Sequence, residues 1–259
     1  MRLAFMSWVC PKMTLTELLA AGKKYGYEGI EFRPECGHGH GVELAATAQQ
    51  RQAMRREVEE SGLVPCCIAP SVGCDKEGAE RDNHSQTLLR YIDMAAEMGI
   101  QRIRVFGDPL PNGGSGVRSK SYAMQADFLA RPAERAAAAG VKIVLEVHGN
   151  LRGFDVGEIL YRAAYPPALW INWHLEHCLN HGEDVDEAYR HVKGRVGHAH
   201  FTLMVEKTDP FDTIFRQAQL LAAEGFDGFF SVEVINNPDA EGVMKLHADG
   251  WARIKKQIQ

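Results

Sequence analysis

Val144-Leu-Glu-Val-His148, Asn172-Trp-His-Leu-Glu-His177, Gly197-His-Ala-His-Phe201 and Phe230-Ser-Val-Glu-Val234 decide how this chain reads. Each looks like the end of a buried strand, an apolar run that stops at Glu or His. Seven of the eleven histidines lie between His148 and His200. Side chains that can bind a metal therefore recur at strand ends, one segment after another.

The same grammar extends along the chain. Short apolar runs predict strands at Leu3–Ser7, Gly29–Phe32, Val64–Ile68, Arg102–Phe106, Lys142–Glu146, Leu169–Trp173, Val196–His200 and Phe229–Val234. Amphipathic runs between them predict helices over Leu15–Tyr25, Val42–Ser61, Asn83–Met98, Tyr122–Ala139, Val156–Ala164, Val185–Val192, Asp212–Ala223 and Ala240–Lys256. Glycines at 26, 62, 99, 140 and 225 mark helix ends before the next strand. Gly26-Tyr-Glu-Gly-Ile-Glu31 and Gly225-Phe-Asp-Gly-Phe-Phe-Ser-Val-Glu233 look alike, as one βα unit used repeatedly would.

Strands alternating with helices imply parallel pairing, because each crossover needs a helix. Eight such units in 259 residues predict an α/β protein, a single (β/α)8 TIM barrel over residues 1–259. An open nucleotide-binding sheet would carry a glycine-rich turn after its first strand, where Trp8-Val-Cys-Pro11 stands instead. Catalytic groups in such barrels sit at the C-terminal strand ends. Glu146, His174, His200 and Glu233 thus converge as one candidate site.

Composition narrows the function. The chain is 45% hydrophobic and 24% charged with a formal net charge of −5, which gives no basic stripe for nucleic acid. No apolar run approaches a membrane span. Six cysteines without Cys-x-x-Cys spacing read as reduced, mostly buried thiols. Arg2-Leu-Ala-Phe-Met-Ser7 opens directly as a strand, so a cytoplasmic protein is expected. The Gly37-His-Gly-His-Gly41 stretch reads as a solvated loop at the barrel mouth, and Pro109–Lys120 as a long flexible loop.

The order and placement of four motifs resemble the xylose isomerase-like TIM barrels, the sugar phosphate isomerase/epimerase superfamily. They are Leu145-Glu-Val-His-Gly149, His174 to His177, Gly197-His-Ala-His200 and Gly225-Phe-Asp-Gly-Phe-Phe-Ser-Val-Glu233. The resemblance implies one divalent metal held by Glu146, His174, His200 and Glu233. The family places Asp where His174 stands, so the set has two anionic ligands and two imidazoles. That tilts preference from Mg or Mn toward Zn, Co, Ni or Fe. Asn172 and Glu176 are alternative ligands.

The resemblance further implies a small carbohydrate substrate and an enediolate intermediate, with Glu146 and Glu233 moving the proton. A dehydratase or lyase could use the same site, and a non-catalytic, partner-dependent barrel is a further alternative. His148, His177 and His198 are expected at the substrate or behind the ligands, and Trp8, Glu31 and Arg33 at the substrate. Against these stand plainer roles: core packing for Trp8, and ion pairs of Glu146 or Glu233 with Arg104 or Arg33. A homo-oligomer is possible; nucleic acid and membrane partners are not expected.

Overall fold

The computed structural model describes residues 1–204 and 210–258. The sheet is a closed barrel with strands in sequence order, β1 to β8. The strands are β1 (Arg2–Met6), β2 (Gly29–Phe32), β3 (Val64–Ile68), β4 (Arg102–Val105), β5 (Lys142–Glu146), β6 (Leu169–His174), β7 (Val196–Phe201) and β8 (Phe229–Val232). All the strand pairs resolved in detail are parallel. The α/β TIM barrel read from the sequence is the fold.

Among the described residues there are nine α-helices: α1 (Leu15–Lys24), α2 (Ala48–Ser61), α3 (Gly78–Met98), α4 (Ser115–Ala138), α5 (Gly153–Arg162), α6 (Leu175–Asn180), α7 (Val185–Val192), α8 (Pro210–Ala223) and α9 (Ala240–Ile258). Helix starts differ most from the sequence reading at α2, α3 and α4; α3 begins at Gly78 instead of Asn83. Helix α2 begins at Ala48 instead of Val42, because Thr47 and Gln50 form a capping box there. Helix α4 begins at Ser115, so the stretch Pro109–Lys120 is a loop only in its first half. The short α6 follows His174 directly and was not foreseen.

Contacts divide the chain into two compact units. The first comprises residues 1–69, 98–100 and 198–259. In it β1 pairs with both β2 and β8, in registers Met6↔Glu31 and Ala4↔Ser231. Strand β7 pairs with β8 through His200↔Ser231. The β2–β3 register shifts by one residue, from Ile30↔Pro65 to Glu31↔Cys67. This bulge absorbs Cys66 and sets Cys67 opposite Glu31. Space inside is tight: a Cβ on Gly29 would lie 2.5 Å from the Phe229 ring.

The second unit comprises residues 70–97 and 101–197. Strand β5 runs between β4 and β6, with Arg104↔Val144 and Glu146↔Asn172 in register. Helix α4 packs on β5 and α5, and α5 on β6 and α7. Buried Ile143, Leu145, Ile171 and Trp173 alternate along the strands with Val144, Glu146, Asn172 and His174, as the two-residue period of a strand requires. The start of α5 is held by buried Glu183, whose carboxylate accepts from the Gly153 and Phe154 amides at 2.6 and 3.0 Å. No described helix is long and apolar enough to cross a membrane.

Candidate metal and carbon-acid site

In the second unit, Glu146 ends β5 and is wholly buried. Its Oε2 lies 3.2 Å from Arg104 Nε, and its Oε1 lies 3.2 Å from His174 Nδ1. The guanidinium of Arg104 also covers the Phe106 ring at 3.7 Å. The ion pair set out as the plainer role of Glu146 therefore exists, with Arg104. It coexists with the histidine contact at the other carboxylate oxygen.

His174 stands at the last position of β6 and turns the chain into α6. Helix α6 brings His177 back against it, with ring centroids 4.4 Å apart, and His148 lies 4.7 Å from His177. His148 Nδ1 is 2.9 Å from Asp108 Oδ1. Burial works against the His148 cation, but the Asp108 hydrogen bond and the Glu146 and Asp108 charges outweigh it and raise its pKa. Asp108 carries no signal in the sequence, since nothing local ties it to a histidine 40 residues on.

Asn172 shares the face of β6 with His174 and pairs in register with Glu146. It is wholly buried, and its side-chain amide has no hydrogen-bond partner among the described residues. Glu176 is half-buried and 4.0 Å from His174 Nε2.

In the first unit, His198 and His200 share one face of β7 and both are wholly buried. The backbone amide of Glu233 donates to the Phe201 carbonyl at 3.1 Å, which continues the β7–β8 pairing one residue past β8. His200 Nδ1 consequently lies 2.9 Å from Glu233 Oε2. Glu233 is partly exposed, with 13% of its side-chain surface accessible.

On the other side of these rings stands Glu31, wholly buried on β2. Its carboxylate lies 2.9 Å from His198 Nε2 and 3.1 Å from His200 Nε2. Burial opposes its ionisation, but His200 and then His198 outweigh that cost and hold the group well below the usual carboxylate range. Its immediate partners are histidines; its expected substrate contact has no counterpart in these hydrogen bonds.

Trp8 and Arg33 pack together near the end of β1, the guanidinium 5.0 Å from the indole ring. Arg33 donates through Nη1 to the Pro34 and Ala69 carbonyls. Trp8 also lines an open cavity of about 450 Å³ with Pro11, Lys12, Cys36, His38 and Asn236. The Gly37–Gly41 stretch corrects the expectation of a solvated loop, because His38 and His40 turn inward. His38 Nδ1 meets Ser7 Oγ at 3.2 Å, and His40 accepts the Val42 amide at 2.9 Å. Burial pushes the His40 pKa down to about 4. These rings are satisfied parts of the fold.

The profile of the xylose isomerase-like TIM barrel family matches residues 19–254. The chain belongs to that family. Comparison by sequence with curated proteins finds no match. Similar solved structures include a D-psicose 3-epimerase with D-tagatose from Clostridium cellulolyticum H10, at TM-score 0.78 and 11% identity, covering 100% of both chains. A 3-keto-D-glucoside 4-epimerase from E. coli aligns at TM-score 0.76 and 18% identity over 99% of each chain. A probable 3-DHS dehydratase from Bacillus anthracis aligns at TM-score 0.75 and 15% identity, over 97% of this chain and 99% of that one. At these identities the structural likeness establishes the fold.

The donor chemistry fits a cation. Glu31 is ionised and can only accept, so His200 must present its Nε2–H to it. The Nδ1 lone pair of His200 then faces a Glu233 oxygen at 2.9 Å. Two acceptors at that distance call for a positive charge, either a proton on the ring or a metal. Imidazole nitrogens and carboxylates are the usual ligands of Zn and of the neighbouring transition metals.

Proposed function

We propose that this protein is a metal-dependent epimerase or isomerase of a small sugar or keto-polyol. Glu146, His174, His200 and Glu233 would hold the one divalent ion. The observation that carries this reading is that each unit pairs a carboxylate with an imidazole at its strand ends, Glu146 with His174 at 3.2 Å and Glu233 with His200 at 2.9 Å. Membership of the xylose isomerase-like family and the likeness to a 3-keto-D-glucoside 4-epimerase and a D-psicose 3-epimerase support the substrate class. Two imidazoles and two carboxylates favour Zn, Co, Ni or Fe over Mg or Mn, a preference set by ligand softness.

When bound, the ion supplies Lewis acidity to a substrate carbonyl and its neighbouring hydroxyl. The protein's own part is proton transfer at the carbon beside that carbonyl. Glu233 keeps some solvent exposure, so it is the carboxylate that meets substrate first and removes the proton. Glu146 is clamped by Arg104 and His174 and serves mainly to hold its place, returning a proton where the reaction is an epimerisation. His148, steadied by Asp108, and His177 beside it would contact substrate hydroxyls. Trp8 and Arg33 supply a wall by the same reasoning, and His198 stands behind His200.

Elimination of a β-hydroxyl would begin with the same proton removal, and one similar structure is a probable dehydratase. Metal analysis of the purified protein, followed by exchange of candidate ketoses in heavy water, separates the outcomes. One equivalent of metal and deuterium uptake at the carbon beside the ketone are expected, the latter falling about 100-fold or more in Glu233→Gln. Robust exchange by a Glu146→Gln, Glu233→Gln double variant would sink the mechanism.

A further inference from the structure

Glu31 is the most deeply buried charged group in the first unit, and its two carboxylate oxygens serve two rings. Oε2 meets His198 Nε2 at 2.9 Å, and both oxygens meet His200 Nε2 at 3.1 Å. Three features of the chain bring this about. His198 and His200 are two apart on β7, so both present the same face. Glu31 sits in register beside Met6 on the neighbouring face of β2. The bulge at Cys66 then sets Cys67 opposite Glu31, and Glu31, Cys67 and His198 offer donor atoms within 4.8 Å of one another.

A carboxylate held between two Nε2 atoms accepts a hydrogen bond from each ring. That assigns the tautomer of His200. Its Nε2 carries hydrogen toward Glu31, and its Nδ1 lone pair points toward Glu233. We infer that Glu31 is a positioning residue for the metal site, which locks His200 in the orientation and tautomer that make Nδ1 the ligating atom. The inference rests on His200 being a ligand, as proposed above. Carboxylates that hold the far nitrogen of a ligating histidine fix the ring and raise its basicity, and their loss typically weakens metal binding about 10- to 100-fold. His198 shares the arrangement as the second donor, which keeps Glu31 from rotating away from His200.

The same three donors could instead be read as a second metal site. Against that, Glu31 already satisfies both rings, the Cys67 thiol points to the Ile68 carbonyl at 3.5 Å, and all three side chains are wholly buried. A metal there would have to displace hydrogen bonds that the fold has made, with no exposed atom to enter by.

Two measurements test the inference. In the metal-free wild type, two-dimensional 15N–1H spectra of the imidazoles should show His200 carrying its proton on Nε2; a proton on Nδ1 alone overturns the inference without any variant. The second is Co2+ and Zn2+ affinity by chelator competition on wild type, Glu31→Gln and Glu31→Asp. Wild type should bind one equivalent, Glu31→Gln should bind about 10- to 100-fold more weakly with an altered Co2+ absorption spectrum, and Glu31→Asp should recover part of the affinity. Glu31→Gln binding as tightly as wild type overturns this inference alone. Wild type binding no metal overturns the metal-centre reading together with it. Two equivalents in wild type, one of them lost in Cys67→Ser, would make Glu31 a ligand and overturn its role as a support.

Discussion

Replacing Arg104 with Met puts the buried charge of the site to a direct test. Arg104 Nε and Glu146 Oε2 are 3.2 Å apart, with 2% and 1% of their side-chain surfaces exposed. Met keeps the apolar stem that rests near Phe106 and removes the guanidinium. Glu146 then loses its guanidinium partner and keeps its contact with His174. Removing one member of a buried pair costs about 3–5 kcal/mol, because the other charge stays desolvated and uncompensated. Removing both members is often close to neutral, so Arg104→Met, Glu146→Leu should be more stable than Arg104→Met alone, with a coupling of about 2 kcal/mol or more.

The assay is urea denaturation followed by circular dichroism, in chelator and then with excess Zn2+ or Mn2+. A bound divalent cation compensates Glu146 in place of Arg104, so the penalty of Arg104→Met should shrink when metal is present. Binding itself adds about 2.7 kcal/mol at a metal concentration 100 times Kd. The reasoning is refuted if Arg104→Met in chelator stays within about 1 kcal/mol of wild type, well short of the cost of an unpaired buried charge. Simple additivity of the two substitutions would refute it equally.

Three further outcomes are expected. His247 is wholly buried on α9, donates through Nδ1 to the Val243 carbonyl and accepts the Leu203 amide through Nε2; burial lowers its pKa to about 4. A depressed histidine pKa gives stability that is present above about pH 6.5 and lost as pH falls toward 4, about 3 kcal/mol in all for this ring. His247→Gln should flatten that pH dependence in chelator, and an unchanged slope would exclude His247 as its source. Gly29→Ala should destabilise by about 1–3 kcal/mol by thermal or urea unfolding, because the new methyl meets the Phe229 ring at 2.5 Å; a neutral effect would mean the ring yields freely. Of the six free thiols only Cys36 is exposed, so a thiol reagent should titrate one group in the native protein and six in denaturant. Rapid native reaction of more than one would contradict the burial.

The barrel was legible because its code is local. Apolar runs of strand length, helical periodicity between them and glycines at the helix ends each depend on near neighbours, and the eight predicted strands coincide with the observed ones to within a residue or two. Gly62, at φ 81, ends α2 where a side chain in the left-handed region would be strained. The overreach at Val42 has an equally local cause, since the Thr47–Gln50 capping box outweighs the apolar pattern that precedes it. The four candidate ligands were legible for the same reason: Glu or His at the end of an apolar run is conspicuous on one strand.

Pairings between strands were not legible, because they depend on which faces of distant segments meet. The sequence by itself determined the order of strands and helices, the parallel architecture and the identity of the groups at the strand ends. Only the tertiary structure decided that Glu31 reaches His198 and His200, more than 160 positions away. It likewise decided that Arg104 neutralises Glu146, and that His38 and His40 are inside. Register and a one-residue bulge set those contacts, and a strand's alternation makes each residue's face depend on every residue before it.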